Sequence, residues 1–115
     1  MDIEHYTSPT GRTPTLEYLN GLPDEKHKKR IYDDISRLKI FGQQKMITAG
    51  KIEKVKGCPE NIWELRTSCP NNIIYRTLFG IRNGTIVILN IFNKKEARIR
   101  RPEIAKSITR FQKPI

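Results

Sequence analysis

Charged and aromatic residues stand on or just after three predicted β-strands, in an order that suits a bound phosphodiester. The first strand contains Trp63-Glu64-Leu65-Arg66, the second contains Tyr75-Arg76, and the third ends in Phe92-Asn93-Lys94-Lys95. Arginine presents a rigid fork of donors that matches the geometry of phosphate, and lysine adds a compact cation. Gathered at one place, such side chains could hold an RNA linkage and stabilise the charge that develops when it breaks.

Metal-free RNA cleavage needs a base for the ribose 2′-OH, cations for the phosphorane, and an acid for the leaving 5′-oxygen. Neither His5 nor His27 is near the basic strands in sequence, so Lys, Arg, Tyr or Glu would have to act instead. A lysine crowded by other cations becomes a better base near neutral pH. The catalytic candidates are Lys54, Lys56 and the rival Glu64 as base, Arg66 and Arg76 for charge stabilisation, and Lys94 or Lys95 as acid.

A basic stretch connects the third of these strands to the last predicted helix. Five bases occur in eight residues there, and Phe92 beside them offers a ring on which a nucleobase could stack. Such runs are commonly just solvated, and a phenylalanine at a strand end commonly packs in the core. The RNA-binding candidates are Phe92, Arg98, Arg100 and Arg101.

Strand periodicity supports part of this site and leaves part open. Glu64 and Arg66 share one face of their strand, opposite Trp63 and Leu65, although the same alternation is ordinary in a half-exposed sheet. Arg76 shares its strand face with the apolar Ile74 and Leu78, so periodicity alone does not place it on the same face as Arg66. A bulge or the twist of the sheet would have to bring it there.

Capping and spacing signals predict a helical hairpin in the first half of the chain. A short strand, Ile3–Tyr6, precedes a helix that begins at Thr13-Pro14, where a hydroxyl cap is followed by proline. Gly21 and Pro23 end that helix. A second helix runs from Pro23-Asp24 to Gly42, with apolar residues at helical spacing.

The second half is predicted to form a meander and a final helix. Residues 43–61 are irregular in this prediction, and Asn83-Gly84 is a strong hairpin signal. The strands are Ile62–Cys69, Ile73–Ile81 and Thr85–Phe92, and the last helix is Pro102–Gln112. The order β-α-α-β-β-β-α predicts an α+β fold in which the hairpin packs on a small, mainly antiparallel sheet, in a single domain spanning 1–115.

Charge and composition favour a polyanionic partner. The net charge is +10, and because residues 1–25 hold five acids against one base, the remainder carries +14. Such a field attracts nucleic acid or the ribosome, although a basic surface without a specific partner would have the same composition. The acidic start Met1-Asp2-Ile3-Glu4 is not a signal peptide, and no apolar stretch is long enough for a membrane, so we expect a cytoplasmic protein. Cys58 and Cys69 lie in no CxxC pattern, so no metal or cofactor is expected.

Four motifs in this order resemble the phage-related HigB-like branch of the RelE/ParE toxin superfamily. They are Trp63-Glu64-Leu65-Arg66, Tyr75-Arg76, Phe92-Asn93-Lys94-Lys95 and Pro102-Glu103-Ile104-Ala105. The resemblance implies a RelE-like fold and the toxin of a type II toxin–antitoxin pair, which cuts mRNA in the ribosomal A site and leaves a 2′,3′-cyclic phosphate without a metal. It also implies a cognate antitoxin, often a helix-turn-helix DNA-binding protein. Arg66, Arg76, Lys94 and Lys95 match the basic positions of the family, and Lys54 and Lys56 lie where relatives carry bases before the tryptophan strand.

Two other functions stay open at this point. A ParE-like toxin of the same fold poisons DNA gyrase without cutting RNA, and a phage-derived protein could bind nucleic acid without catalysis. The basic positions favour RNA, because a gyrase inhibitor has no need of a phosphate-binding sheet face. A departure from the family pattern is Glu96, which puts a negative charge next to Lys95.

Overall fold

The protein folds into a five-stranded sheet with helices on both faces, and the strands of this sheet position most of the candidate site residues. The computed structural model describes residues 1–93 and 99–112. The elements in these ranges are β1 (Asp2–His5), α1 (Pro14–Asn20), α2 (Glu25–Thr48), β2 (Ile52–Lys54), β3 (Ile62–Cys69), β4 (Ile73–Arg82), β5 (Thr85–Asn93) and α3 (Arg101–Gln112). The predicted α+β class is confirmed. No helix within these ranges has the length and apolar character needed to cross a membrane.

The sheet has the strand order β1-β5-β4-β3-β2. β1 runs parallel to β5, and every other neighbouring pair is antiparallel. Asn83 and Gly84 join β4 to β5 with φ values of 51° and 77°. Both residues adopt the left-handed conformation that tight hairpins require, so the predicted turn is confirmed.

Two local predictions in the segment before β3 were wrong. β2 lies within residues 43–61, which were predicted to be irregular, because a strand of three residues is too short to show a periodicity. Gly42 was predicted to end the second helix. It does break the helix, with φ 79° and ψ 173°, but helical structure resumes and continues to Thr48, where Met46 enters the core. The element order is therefore β-α-α-β-β-β-β-α.

The two faces of the sheet are covered by different helices. On the hairpin face, Leu19 of α1 and Ile31 and Leu38 of α2 pack with Leu65 and Phe79 of the sheet. On the α3 face, apolar side chains of the last helix pack on residues that alternate with these, namely Ile62, Leu78, Val87 and Leu89, with Phe111 from α3. Both faces are consequently apolar over much of their area, so a charged side chain in the middle of either face needs a specific partner.

Gly80 allows α3 to lie close to β4. A Cβ at this position would be 2.5 Å from Cε1 of the Phe111 ring. The Arg82 guanidinium lies over the Phe111 ring, 4.5 Å from its centroid, and also donates to the Phe111 carbonyl oxygen. Phe111, in the last turn of α3, is thus held through both its ring and its backbone carbonyl group.

We expect Gly80→Ala to lower the free energy of unfolding by about 1–3 kcal/mol, because the added methyl group overpacks a site with no free space. Urea unfolding followed by circular dichroism measures the change. Phe111→Leu in the same chain should recover part of the loss, since it removes the ring that the methyl group meets. Wild-type stability of Gly80→Ala would show that α3 does not pack on this strand as described.

Candidate active site

The register between β3 and β4 places Arg66 directly opposite Arg76. Residues directly opposite in an antiparallel pair point to the same face, so both arginines lie on the α3 face. The β3–β4 register is continuous, and the bulge in this sheet lies between β4 and β5 instead. No distortion of the kind considered from sequence is needed to bring the two guanidinium groups together.

Both arginines converge on one carboxylate. Arg76 Nη1 donates to Glu64 Oε1 at 2.5 Å, and Arg66 Nε lies 3.6 Å from the same oxygen. Arg66 Nη1 also donates to Glu53 Oε2 at 3.2 Å. These four residues, Glu53, Glu64, Arg66 and Arg76, are called the Glu64 cluster below. Glu64 holds the two guanidinium groups in place at the centre of the α3 face.

Exposure divides the Glu64 cluster into an interior half and a surface half. The side chains of Arg76 and Glu64 are only 5% and 8% exposed. Those of Arg66 and Glu53 are 37% and 49% exposed. Arg66 can therefore contact an anion from solvent. Arg76 and Glu64 are buried, so they can affect such an anion only by holding Arg66 in position.

Glu53 is a member of the site that sequence reasoning missed. It lies opposite Glu64 in the β2–β3 register and reaches Arg66 across that pair. Glu53 could have been found from sequence only if β2 had been predicted, because only a strand in register with β3 brings Glu53 and Glu64 onto one face.

The structure does not gather all the predicted catalytic residues. Lys54 lies opposite Trp63, so the register directs it to the hairpin face, away from Arg66. Lys56 is exposed beyond the end of β2. Lys94 and Lys95 lie outside the described residues. Of the seven candidates, the structure brings together Glu64, Arg66 and Arg76.

Of the predicted RNA-binding residues, Phe92 lies on the α3 face of the sheet, and Arg100 and Arg101 lie at the start of α3. Phe92 is opposite Arg76 in the β4–β5 register and packs partly against the apolar core under α3. Arg100 and Arg101 are exposed at the start of α3, where the Arg100 carbonyl oxygen accepts from the Glu103 and Ile104 amides. Arg98 lies outside the described residues.

His27 lies against the strands, although sequence distance had argued against it. Its Nδ1 is 2.9 Å from the Tyr75 hydroxyl, and its Nε2 is 3.5 Å from Asp24 Oδ2. Burial raises the pKa of Tyr75. Because Tyr75 precedes Arg76 in β4, this group lies on the hairpin face, on the other side of the sheet from Arg66. Its contacts fasten the start of α2 to the sheet.

Comparison with known proteins assigns the chain to a protein family. A family described as "Phage derived protein Gp49-like (DUF891)" matches residues 17–112, which is well over half of the chain. This family lies in the RelE-like toxin superfamily, among the toxins of toxin–antitoxin systems, and membership implies an antitoxin partner. No curated protein matches significantly. The resemblance drawn from the motifs is confirmed for the superfamily, and the HigB-like branch stays a prediction.

Proposed function

The chain belongs to the Gp49-like family of phage-derived proteins, and we propose that it is a HigB-like toxin that stops translation by cutting mRNA on the ribosome. The observation that carries this proposal is the Glu64 cluster, which holds one exposed guanidinium in a fixed position on the sheet. An exposed, oriented arginine fork is the group best suited to a phosphate whose charge increases during the reaction.

The composition of the Glu64 cluster supports a functional role over a stabilising one. Like charges directly opposite each other in a sheet destabilise it, and Arg66 and Arg76 are such a pair. A buried ion pair such as Glu64–Arg76 is often matched or exceeded in stability by apolar residues of the same size. Keeping two cations here makes physical sense if Arg66 must be held beside a substrate anion.

The proposed reaction assigns a role to each charged group. The ribose 2′-oxygen attacks the phosphorus, the bond to the 5′-oxygen breaks, and a 2′,3′-cyclic phosphate remains. Arg66 contacts the phosphate oxygens, while Glu64 and Arg76 position it. The accessible candidates for the base are Glu53 and Lys56, since the register turns Lys54 to the other face of the sheet. We retain Lys94 or Lys95 as the proposed proton donor to the leaving oxygen.

Exposed cations at the start of α3 would extend the contact along the RNA. Arg100 and Arg101 are exposed there, and Phe92 lies beside Arg76 on the same face of the sheet. Backbone contacts of this kind position a nucleic acid without reading its sequence. We propose that the protein acts in the cytoplasm, with the ribosome, mRNA and a helix-turn-helix antitoxin as its partners.

Expression of the protein in bacteria should arrest growth and stop amino-acid incorporation before DNA synthesis changes. Pulse labelling with methionine and thymidine, together with an assay of gyrase supercoiling, separates the two toxin activities of this fold. Induction of the DNA-damage response with intact mRNA would favour the ParE-like alternative. Growth without arrest would favour a nucleic-acid-binding protein with no catalysis.

Cleavage should persist when free divalent cations are chelated, because the proposed site uses arginine in place of a metal. Ribosome integrity is kept with a polyamine and checked separately by sedimentation. We expect the rate per intact ribosome complex to be unchanged by EDTA. Loss of cleavage on intact complexes, with recovery on adding back Mg²⁺ or Mn²⁺, would contradict the metal-free scheme.

A further inference from the structure

A single backbone donor and acceptor are left open at the outer edge of β5. β1 covers this edge only over Thr85–Ile88, and beyond it no strand within residues 1–93 and 99–112 lies on that side. Arg110 Nη1 donates to the Leu89 carbonyl oxygen at 2.7 Å, so the Leu89 C=O points outward. Because the direction of the backbone groups alternates along a strand, the N–H and C=O of Ile91 also point outward.

The open edge is only one residue long. The Leu89 carbonyl oxygen is bound by Arg110, and the Tyr18 hydroxyl lies against the backbone of Asn93. Between them, the N–H and C=O of Ile91 have no hydrogen-bond partner in the described part of the chain. A ligand that pairs with this edge therefore needs one acceptor and one donor side by side.

The Ile91 backbone lies in a groove between α1 and α3. The volume of the groove is about 340 Å³, near the lower end of the range for small-molecule sites. Pro14 and Tyr18 line it on the α1 side. On the α3 side Glu103 is already bound, since its carboxylate lies 3.5 Å from the Lys106 ammonium group and 3.2 Å from the Asn90 amide. The groove is consequently suited to a flat, neutral ligand more than to an anion.

We propose that this groove binds one nucleobase of an RNA strand, with the base-pairing edge of the nucleobase on the N–H and C=O of Ile91. Each base carries a hydrogen-bond donor next to an acceptor on that edge, and proteins read unstacked bases there. The Tyr18 ring supplies an aromatic surface for stacking. An added peptide strand fits less well, because it pairs at every second residue and the outward groups of Leu89 and Asn93 are taken.

The position of the groove next to the Glu64 cluster assigns the base to RNA. Phe92 lines the groove and lies opposite Arg76 in the β4–β5 register. Arg66 is in β3, two strands from β5 and thus about 10 Å away across the sheet. An RNA strand whose phosphate contacts Arg66 can place the base of a nearby nucleotide in the groove. This assignment rests on the proposed function, whereas the pairing of a base edge with Ile91 does not.

The test uses the purified full-length chain and a labelled hexamer of 2′-O-methyluridine, which cannot be cut by attack of a 2′-oxygen. A second hexamer carries N3-methyluracil, which removes the donor from the base-pairing edge, and a third carries 5-methyluracil as the matched control. We expect N3-methylation to weaken binding at least about tenfold, measured by fluorescence anisotropy, and 5-methylation to leave it unchanged. Hydrogen exchange of the Ile91 amide should slow with the first and third hexamers only.

A pair of tyrosine variants tests the wall of the groove. Tyr18→Leu should weaken binding of the unmodified hexamer about tenfold, because it removes the ring on which the base stacks. The matched control is Tyr32→Leu, which removes a tyrosine from the exposed side of α2 and should bind like the wild type. Circular dichroism shows whether each variant is folded. If Tyr18→Leu does not fold, the three hexamers on the wild-type chain still decide the question.

Equal binding of the three hexamers, or unchanged exchange at Ile91, would overturn the proposal. So would protection of the Ile91 amide by an extended peptide and not by RNA. Tighter binding of uridine 5′-monophosphate than of the hexamer would overturn the assignment to RNA, since the groove would then select a free nucleotide. A chain that binds the hexamer at Ile91 but cuts no mRNA on ribosomes would refute the nuclease proposal alone. A nuclease that binds all three hexamers equally would refute this one alone.

Discussion

Arg66→Ala is expected to reduce mRNA cleavage by about 10²–10³-fold, the usual cost of removing one donor that stabilises a developing oxyanion. Arg66 is the guanidinium of the Glu64 cluster that solvent reaches, and Glu53 and Glu64 hold it from two directions. Single-turnover cleavage on mRNA-programmed ribosomes measures the effect. Arg66→Lys should recover only part of the rate, since it restores the charge without the planar fork.

The matched control for this variant is Arg12→Ala, which removes the same charge from a side chain that is 72% exposed and paired with Glu17. It should cleave at close to the wild-type rate. An equal fall in the cleavage rate of both variants would show that the rate depends only on the overall charge of the protein. Wild-type cleavage by Arg66→Ala would remove this residue from the site.

Arg76→Ala is expected to lower the free energy of unfolding by about 3–5 kcal/mol, because it leaves the buried Glu64 carboxylate without its closest cation. Chemical denaturation followed by circular dichroism measures the loss. For a domain of this size such a change is a large part of the total stability. Reduced toxicity of Arg76→Ala would therefore be explained by loss of folded protein, without any change in catalysis.

A double variant separates stability from function at this pair. Replacing Glu64 with Leu and Arg76 with Met substitutes apolar side chains of similar size, so much of the lost stability should return. Toxicity should stay low, because Arg66 has lost one of the two carboxylates that position it, and Glu53 alone leaves its guanidinium free to turn. An unfolding free energy for Arg76→Ala equal to that of the wild type would contradict the buried pair, and full toxicity of the double variant would contradict its positioning role.

Four of the five strands of the sheet, all except β2, could be predicted from sequence because their signals are local. The alternation in β3 put Glu64 and Arg66 on one face, and Asn83-Gly84 defined the β4–β5 hairpin within one residue. Gly42 marked a real break in α2, but whether a helix resumes after a glycine depends on what the next turn can bury. Here Met46 is buried in the core, and helical structure continues.

The rest of the site could not be predicted because it depends on pairing between distant segments. Arg76 has apolar neighbours in its own strand, and only the β3–β4 register shows that it faces Arg66. Glu53 joins the site through a three-residue strand, and the same strand turns Lys54 to the opposite face. His27 is 48 residues from Tyr75 in the chain, yet their side chains are in hydrogen-bonding contact.

The most direct measurement is cleavage of a defined mRNA on programmed ribosomes, with the 3′ ends of the products mapped and chemically identified. The proposed function predicts cuts within the codon in the A site, ends that carry a 2′,3′-cyclic phosphate, and loss of both with Arg66→Ala. Intact mRNA in the presence of a folded, growth-arresting protein would contradict it. So would ends with a 3′-hydroxyl, which no attack by a neighbouring 2′-oxygen can produce.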